Sequence, residues 1–247
     1  MKIFRLLSLL LVVLLASCLN KKKSADTGIP GNESRYVVLA YVTSWGVSTP
    51  ETSCLTHINY AFGHVADDNK GIRIDNEHRL QMIVGLKKEK PSLKVLLSVG
   101  GWGSSRFSEM AANDSTRTAF AADCRRVIDK FGLDGIDIDW EYPGSGTAGI
   151  SFSSADKENF TLLMRDVRQA VGKDKLLTIA TAATGRYYDF RAIEPYVDYV
   201  NIMAYDMEEA PFHHAALHCS DMTEEWSCEK AVAGHIAGGF PVQRLVL

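Results

Sequence analysis

The sequence has little excess charge, few cysteines and no long apolar run beyond its first residues. A formal net charge of −3 gives no indication of a nucleic-acid partner, because nucleic-acid-binding domains carry clustered basic residues. Repeats and extended low-complexity tracts are absent as well. Hydrophobic residues make up 46% and charged residues 23% of the 247 positions, which is typical of a globular protein with one large domain or two small ones.

The first residues are the apolar exception. Lys2 and Arg5 precede an apolar run that is too short to span a bilayer comfortably, and small residues follow it. This pattern predicts a secretory signal over residues 1–17, with a membrane anchor helix as the alternative. The segment LASC ends at Cys18 and resembles a bacterial lipobox, so Cys18 is the expected site of lipid attachment. Residues 18–34 would then form a flexible spacer, and we expect an exported, membrane-anchored lipoprotein on the periplasmic or cell-surface side.

Four cysteines remain after this segment: Cys54, Cys124, Cys219 and Cys228. Export makes a disulfide possible, and Cys219 and Cys228 are close enough in sequence to close a small loop. The pairing itself cannot be deduced from sequence. Cys124 lies within a helical pattern and is expected to be a buried free thiol.

From residue 35 onward, short apolar runs alternate with helical patterns. Strands are predicted at 36–43, 56–62, 93–101, 133–141, 176–183, 197–206 and 244–247. Helices are predicted at 76–91, 115–132, 154–172, 189–195 and 223–239. Gly132 is the expected stop of one helix and Ser154 the expected cap of the next. Continuous apolar strands that alternate with helices predict a parallel sheet covered by helices.

Both a doubly wound sheet and a (β/α)₈ barrel agree with this order of elements. No Gly-rich phosphate fingerprint follows the first strand, which argues against a doubly wound dinucleotide-binding domain. Polar and aromatic residues instead follow several different strands, and this is where barrel enzymes build their active sites. We therefore expect an α/β protein with a (β/α)₈ TIM barrel over residues 35–247. Because seven strand starts are present, the barrel is expected to be incomplete, truncated within its seventh strand.

The stretch DGIDIDWE, residues 134–141, places four acids in a predicted core strand. Alternate strand residues face the same side, so Asp137, Asp139 and Glu141 are expected to point into the barrel. Asp134 lies off this row, near the strand start, and is expected to be structural. Clustered buried acids cannot all ionise cheaply, so one or two must keep a proton. A protonated carboxyl group is what a general acid requires, and Glu141 lies nearest the mouth.

The other residues of this strand, Ile136, Ile138 and Trp140, are expected to face the helices. A metal cage and a salt-bridged core are the alternative explanations of the acids. Nearby strand ends offer no obvious further ligands. Lys94, at a strand start, is the only Lys or Arg in the third to sixth predicted strands. A catalytic role is therefore favoured.

DGIDIDWE is similar to the DxxDxDxE signature of glycoside hydrolase family 18, which contains chitinases and endo-β-N-acetylglucosaminidases. Other stretches resemble motifs of this family in the same order: YVTSW (41–45), NYAF (59–62), SVGGW (98–102) and MAYD (203–206). The resemblance extends from about residue 36 to the last residue. The family's closing strand, whose tryptophan forms the floor of the sugar site, is not found in these residues.

The resemblance implies a retaining, substrate-assisted glycosidase that needs no cofactor or metal. Glu141 would act as general acid and then base, and Asp139 would hold the acetamido N–H of the sugar. Asp137 would exchange a proton with Asp139, and Tyr205 would orient the acetamido carbonyl. The positions that the resemblance implies for substrate binding or its support are Tyr41, Trp45, Phe62, Ser98, Gly101, Trp102, Met203 and Asp206.

Some of these residues also have a simpler explanation. Phe62 is explained equally well by packing, and Met203 by core filling. Trp102 is a better candidate for stacking on a sugar, because the preceding Gly-Gly pair lets a sugar approach the backbone. Among residues outside the motifs, Arg186, Tyr187 and Tyr188 follow the fifth strand and are weaker candidates for the cleft.

The stretch HHAALHC contains His213, His214, His218 and Cys219. A zinc site is conceivable here, but the spacing matches no closed zinc-site pattern. We therefore expect a loop at the barrel mouth that contacts substrate or packs against the protein.

The sequence thus predicts a chitinase, a hydrolase of β-1,4-linked N-acetylglucosamine polymers, that contacts a membrane only through its lipid anchor. An endo-β-N-acetylglucosaminidase acting on N-glycans would use the same acids. A non-catalytic chitin-binding lectin is the third reading, but such lectins typically lose the acid glutamate, and Glu141 is present. The incomplete barrel is also expected to be inactive as it stands, because its apolar edges would be open.

Overall fold

A computed structural model of the protein describes residues 36–223 and 225–247. The predicted signal segment, the spacer and the lipid site Cys18 lie outside the described residues. Within those two ranges, no helix combines the length and the apolar character needed to cross a membrane.

The described residues contain strands and helices in alternation. The strands are β1 (Leu39–Thr43), β2 (His57–Val65), β3 (Ile72–Ile74), β4 (Lys94–Gly100), β5 (Gly135–Asp139), β6 (Leu176–Ala182), β7 (Tyr199–Met203) and β8 (Leu245–Val246). The α-helices are α1 (Glu77–Gly85), α2 (Phe107–Ala112), α3 (Asp114–Phe131), α4 (Asp156–Val171), α5 (Phe190–Ile193) and α6 (Cys228–Ala237).

Seven of the strands form one parallel sheet in the order β1-β2-β4-β5-β6-β7-β8, and β3 pairs antiparallel with β2. Four strands separate β1 from β7 in this order, so a flat sheet would place them about 24 Å apart at the usual strand spacing. Yet Asn201 of β7 donates to the hydroxyl of Tyr41 of β1 at 3.2 Å. The sheet is therefore strongly curled, and the predicted barrel class is confirmed.

The apolar core lies between the outer face of the sheet and the helices. Ile136, Ile138 and Trp140 are fully buried there, as their alternation with the acids predicted. The Trp140 ring stacks on Phe107 of α2 at 5.3 Å between centroids and meets Phe160 of α4 at 6.1 Å. Because the outer face holds these apolar side chains, the acids of β5 are left to face the inside of the barrel.

Several helix boundaries differ from the predicted ones. The last predicted helix, 223–239, begins only at Cys228, because the Ser227 side chain caps it by accepting from the Lys230 amide. Ser154 does not cap α4. Instead the amide of Ser153, one residue before Ser154, donates a hydrogen bond to the side chain of Asp156 in the first turn of α4.

Two short elements were missed. Strand β3 has three residues, and α2 has six, too few for a recognisable period in the sequence. Their stability comes from contacts with the rest of the fold, as in the Phe107–Trp140 stack.

The four described cysteines are all free, so the predicted possibility of a Cys219–Cys228 disulfide is not realised. The Cys219 thiol instead lies 3.4 Å from the Ser227 hydroxyl, and Cys228 lies 3.9 Å from the Ala204 carbonyl oxygen. Cys124 is a buried free thiol, as expected, and burial raises its pKa far above the ordinary value.

Candidate active site

Strand β5 carries the acids into the inside of the curled sheet. Asp137 is 0% exposed, Asp139 4% and Glu141 8%, although each is a carboxylic acid. Asp137 lies deepest and Glu141 follows the end of the strand. Asp134 lies at the opposite end, where it accepts from the Val95 amide at 2.9 Å.

Asp137 receives hydrogen bonds from four other strands. Its Oδ2 accepts from the Tyr41 hydroxyl at 2.9 Å and the Ser98 hydroxyl at 2.8 Å. Its Oδ1 accepts from the Thr178 hydroxyl at 2.6 Å and the Asn201 amide at 3.1 Å. Burial raises the pKa of Asp137, and the hydrogen bonds oppose this rise because they favour the ionised form. The four donors therefore favour negative charge on Asp137.

Asp139 lies in a different environment. Burial raises its pKa well above the ordinary value, and the nearby charges of Glu141 and Asp137 raise it further. Among the described residues, its Oδ1 atom has no hydrogen-bond partner. Because it is almost fully buried and its Oδ1 has no donor, Asp139 is the member of the row best suited to hold a proton.

Glu141 lies between the acids and the open cleft. Burial raises its pKa, and the neighbouring Tyr142 hydroxyl partly opposes the rise. Glu141 thus combines access to the cleft with a carboxyl group that stays protonated to higher pH than an exposed glutamate. This is the combination that a general acid requires.

A cleft of about 620 Å³ opens above Asp139 and Glu141. Six further residues that the sequence singled out line it: Tyr41, Phe62, Trp102, Met203, Tyr205 and Asp206. They lie on or just after four different strands, β1, β2, β4 and β7, and they converge on one mouth. The volume is in the usual range of pockets for small ligands.

Other predicted residues lie near the cleft without lining it. Ser98 is fully buried beneath it, against Asp137. Gly101 lies behind Phe62, and a Cβ atom at this glycine would come within 2.8 Å of the Phe62 ring. Trp45 is 70% exposed on the loop after β1 and is not among the residues that line the cleft.

Tyr205 and Asp206 lie at the end of β7. Burial, followed by the charges of Asp139 and Glu141, raises the pKa of Tyr205 to about 12, so its hydroxyl stays a hydrogen-bond donor. Asp206 is largely exposed, and its Oδ1 lies 3.8 Å from Nδ1 of His214.

Three residues of the site were missed by sequence reasoning. Thr178 and Asn201 complete the bonding of Asp137, and their only signal was a polar residue within an apolar strand. Tyr142 lines the cleft beside Glu141. Alternation would place Tyr142 on the outer row with Ile138 and Trp140, but Tyr142 lies three residues past the end of β5 at Asp139 and lines the cleft instead.

Arg186, Tyr187 and Tyr188, the weaker candidates for the cleft, follow β6 and lie among aromatic side chains. The rings of Tyr187 and Tyr142 stack at 4.5 Å with an angle of 5° between their planes. The Arg186 guanidinium lies 4.8 Å from the centre of the Tyr187 ring. Tyr188 is buried instead, and its hydroxyl donates to the Trp140 carbonyl oxygen at 3.2 Å.

The histidine stretch follows β7, as expected for a mouth loop. His218 lies 3.1 Å from Glu229 of α6. In the part of the chain that the structure describes, no group of three or more His, Cys, Asp or Glu side chains is arranged to hold a metal ion.

Comparison with known proteins gives a consistent picture. Residues 37–247 match the family described as "Glycosyl hydrolases family 18". The sequence is 29% identical to "Chitinase A1" of Niallia circulans over 100% of this chain and 46% of that protein. It is 35% identical to "Probable chitinase 2" of Drosophila melanogaster over 80% of this chain and 45% of that protein. The chain therefore spans about half the length of these relatives.

Solved structures agree with the sequence relatives. The chitinase domain of the spore coat protein CotE from Clostridium difficile superposes with a TM-score of 0.82 at 33% identity, over 90% of this chain and 66% of that one. A family 18 N-acetylglucosaminidase from Paenibacillus barengoltzii superposes with a TM-score of 0.79 at 37% identity, over 85% of this chain and 67% of that one.

Proposed function

The chain belongs to family 18 of the glycosyl hydrolases, and from this premise we propose that it hydrolyses β-1,4-linked N-acetylglucosamine polymers, namely chitin and chito-oligosaccharides. One observation carries the proposal. Three acids follow one another along β5 into a cleft, and burial raises the pKa of each. The names of the chitinase relatives support the same substrate class.

Glu141 is the proposed general acid and base. Its carboxyl group protonates the glycosidic oxygen, so that the leaving sugar departs as a neutral alcohol. The resulting carboxylate then takes a proton from the incoming water. Support comes from the position of Glu141 on the cleft and from the burial that raises its pKa.

The substrate supplies the nucleophile in this proposal. The acetamido carbonyl oxygen of the sugar attacks its own C1 while the glycosidic bond breaks, which gives an oxazolinium ion. Tyr205 donates a hydrogen bond to that carbonyl oxygen, and Asp139 accepts one from the acetamido N–H. Water then attacks C1 from the face that the leaving group vacated, so the anomeric configuration is retained.

Asp137 and Asp139 together are proposed to balance the positive charge that develops on the oxazolinium ion. Asp139 starts with a proton, for which burial and its like-charged neighbours provide the reason. When positive charge develops on the oxazolinium ion, the proton moves toward Asp137 and leaves negative charge on Asp139. Tyr41 and Ser98 hold Asp137 in place through their hydroxyl groups.

The remaining predicted residues bind the polymer. Trp102, Phe62 and Met203 line the cleft. Trp102 and Phe62 are proposed to stack on sugar rings, and Met203 is proposed to contact the acetamido group. Asp206 binds near the distorted sugar. Trp45 is proposed to contact a more distant sugar unit, since it is exposed outside the cleft.

The test compares the wild type with Glu141→Gln in the complete natural polypeptide that contains these residues. Chito-oligosaccharides and an N-glycopeptide are the substrates, and products are analysed by mass. Loss of the general acid is expected to lower the rate on chito-oligosaccharides by on the order of 10²–10⁴. The products of the wild type should keep the anomeric configuration, measured by NMR directly after cleavage.

Other outcomes would change the proposal. Cleavage of the glycopeptide alone would assign an endo-β-N-acetylglucosaminidase that uses the same acids. Binding of chito-oligosaccharides without turnover by the wild type would identify a lectin and refute the mechanism.

We further propose that residues 1–17 direct export and that Cys18 carries the lipid that holds the protein at a membrane. The sequence pattern before Cys18 supports this. Labelling of cells with a radioactive fatty acid should mark the wild type and not Cys18→Ser, and equal labelling of both would refute it.

A further inference from the structure

Asp156, the first residue of α4, is a fully buried carboxylic acid that the proposed mechanism does not use. Its Oδ1 accepts from the Ser108 hydroxyl at 2.8 Å. Its Oδ2 accepts from the Ser153 amide at 2.8 Å and from the Gly144 amide at 3.2 Å. Burying a carboxyl group is costly unless it is well bonded, so a buried acid with three donors indicates a specific role.

The three donors belong to two separate parts of the molecule. Gly144 and Ser153 lie at the two ends of the loop that follows Glu141, and Ser108 lies on α2. One carboxyl group therefore closes the loop 144–153 at both ends and fixes α2 to the start of α4.

The first structural connection between Asp156 and Glu141 runs through the loop 144–153. Gly144 lies two residues after Tyr142, which lines the cleft beside Glu141 and stacks on Tyr187. Further along the loop, Ile150 is buried in the core. Gly144 and Gly149 both have positive φ angles, of 76° and 75°, which glycine adopts without strain.

The second structural connection between Asp156 and Glu141 runs through α2. Ser108 is next to Phe107, whose ring stacks on Trp140 at 5.3 Å. Trp140 directly precedes Glu141. Both neighbours of Glu141 along the chain are thus held by elements that meet at Asp156.

We propose that Asp156 is a positioning residue of the active site, which holds the loop 144–153 and α2 so that Tyr142 and Glu141 keep their places in the cleft. It acts through these contacts and does not touch the substrate. The kinetic part of this inference rests on the proposed function, whereas the structural part does not.

The first test measures hydrogen exchange in Asp156→Asn. The asparagine keeps one acceptor oxygen but turns an N–H₂ group toward a former donor, so at least one charge-assisted bond is lost. Protection of the Gly144 and Ser153 amides is expected to fall roughly tenfold or more, as loss of such a bond implies. If Asp156→Asn does not fold, Ser108→Ala removes only the bond that fixes α2 and tests the connection through α2, by exchange in residues 107–112 and by the kinetic measurement below.

Asp134→Asn is the matched control. Asp134 lies at the opposite end of β5, where it accepts from the Val95 amide and from Lys87. This variant is expected to lower stability without changing exchange in residues 142–153. A general loosening of the fold would change exchange there in both variants.

The second test measures kinetics on chito-oligosaccharides in the complete natural polypeptide. Displacement of Tyr142 and Glu141 is expected to lower kcat by roughly tenfold to a hundredfold, with a smaller change in KM, because orientation errors act on the chemical step. Displacement of the Tyr142 hydroxyl would also remove its lowering effect on the pKa of Glu141, so the high-pH limb of the rate profile should move to higher pH. The other titratable groups around Glu141, namely Asp139, Tyr188 and Tyr205, are unchanged in the variant.

The outcomes separate the two proposals. A folded Asp156→Asn protein with unchanged exchange at 142–153 and an unchanged pH profile would overturn the positioning role. A wild type that cleaves no substrate would overturn the proposed function, and the exchange measurement would still decide whether Asp156 holds the loop.

Discussion

Replacement of Asp139 by asparagine is expected to make the protein more stable at neutral pH while it removes activity. Asp139 is 4% exposed, and burial together with the charges of Glu141 and Asp137 raises its pKa well above the ordinary value. Asparagine has nearly the same shape and never ionises. The variant should therefore remove the cost of a buried charge without opening a cavity.

The magnitude follows from proton linkage. In the pH range between the unfolded pKa of 3.8 and the raised folded pKa, the folded state binds more protons than the unfolded state. The stability from this group is complete below the unfolded pKa and is lost as pH rises through the folded pKa. Because the folded state holds one proton more, the free energy of unfolding falls by about 1.4 kcal/mol per pH unit. The loss of stability between about pH 4 and pH 8 is therefore at most about 5 kcal/mol.

The assay is urea denaturation of the wild type and Asp139→Asn at several pH values. Near pH 4 the two proteins should have similar free energies of unfolding. Near pH 8 the variant should be more stable than the wild type, by at most about 5 kcal/mol. Glu141→Gln should behave in the same direction with a smaller effect, because Glu141 is less buried. A stability difference that does not change with pH would refute the assignment of a proton to Asp139.

Three further predictions concern packing and reactivity. Trp140→Ala removes a fully buried ring and should lower the free energy of unfolding by about 3–5 kcal/mol in urea denaturation, and a loss below about 1 kcal/mol would contradict the packing. Gly101→Ala should displace the Phe62 ring, because a Cβ atom would lie 2.8 Å from it, and should raise KM for chito-oligosaccharides with kcat less affected. A thiol reagent should modify exposed Cys54 in the native protein and buried Cys124 only after unfolding, which mass analysis of labelled peptides would test.

Much of the acidic row could be predicted from sequence because it depends on a local rule. Alternation along a strand fixes which side chains share a face, so Asp137 and Asp139 could be assigned to the inside and Trp140 to the outside. Applied to Tyr142, three residues beyond the end of β5 at Asp139, the same rule would give the outer face, yet Tyr142 lines the cleft. Beyond the end of the strand, Trp140 and Glu141 still follow the alternation and Tyr142 does not.

The partners of Asp137 depend on distant parts of the chain. Thr178 is 41 residues away and Asn201 is 64 residues away, and each looks in sequence like an ordinary polar residue in an apolar strand. Nothing local says which of the inward polar side chains will meet a given acid. The barrel order reveals this, because the curl brings β6 and β7 over the same centre as β5.

The bonding of Asp137 also has a consequence for how the protein is made. Its donors range from Tyr41 to Asn201, and these two residues, 160 positions apart, contact each other. During synthesis from the N-terminus, the Asp137 carboxylate leaves the ribosome long before its last donor has been translated. Closure of the barrel, on the ribosome or after the proposed export, must wait until β7 has emerged, and until then this acid stays hydrated. A ribosome-bound chain that stops before Asn201 should therefore remain sensitive to protease around β5, whereas a chain that extends well past β7 should become resistant. Such distant contacts also favour slow folding, so the time before closure is when the chain would most depend on a chaperone.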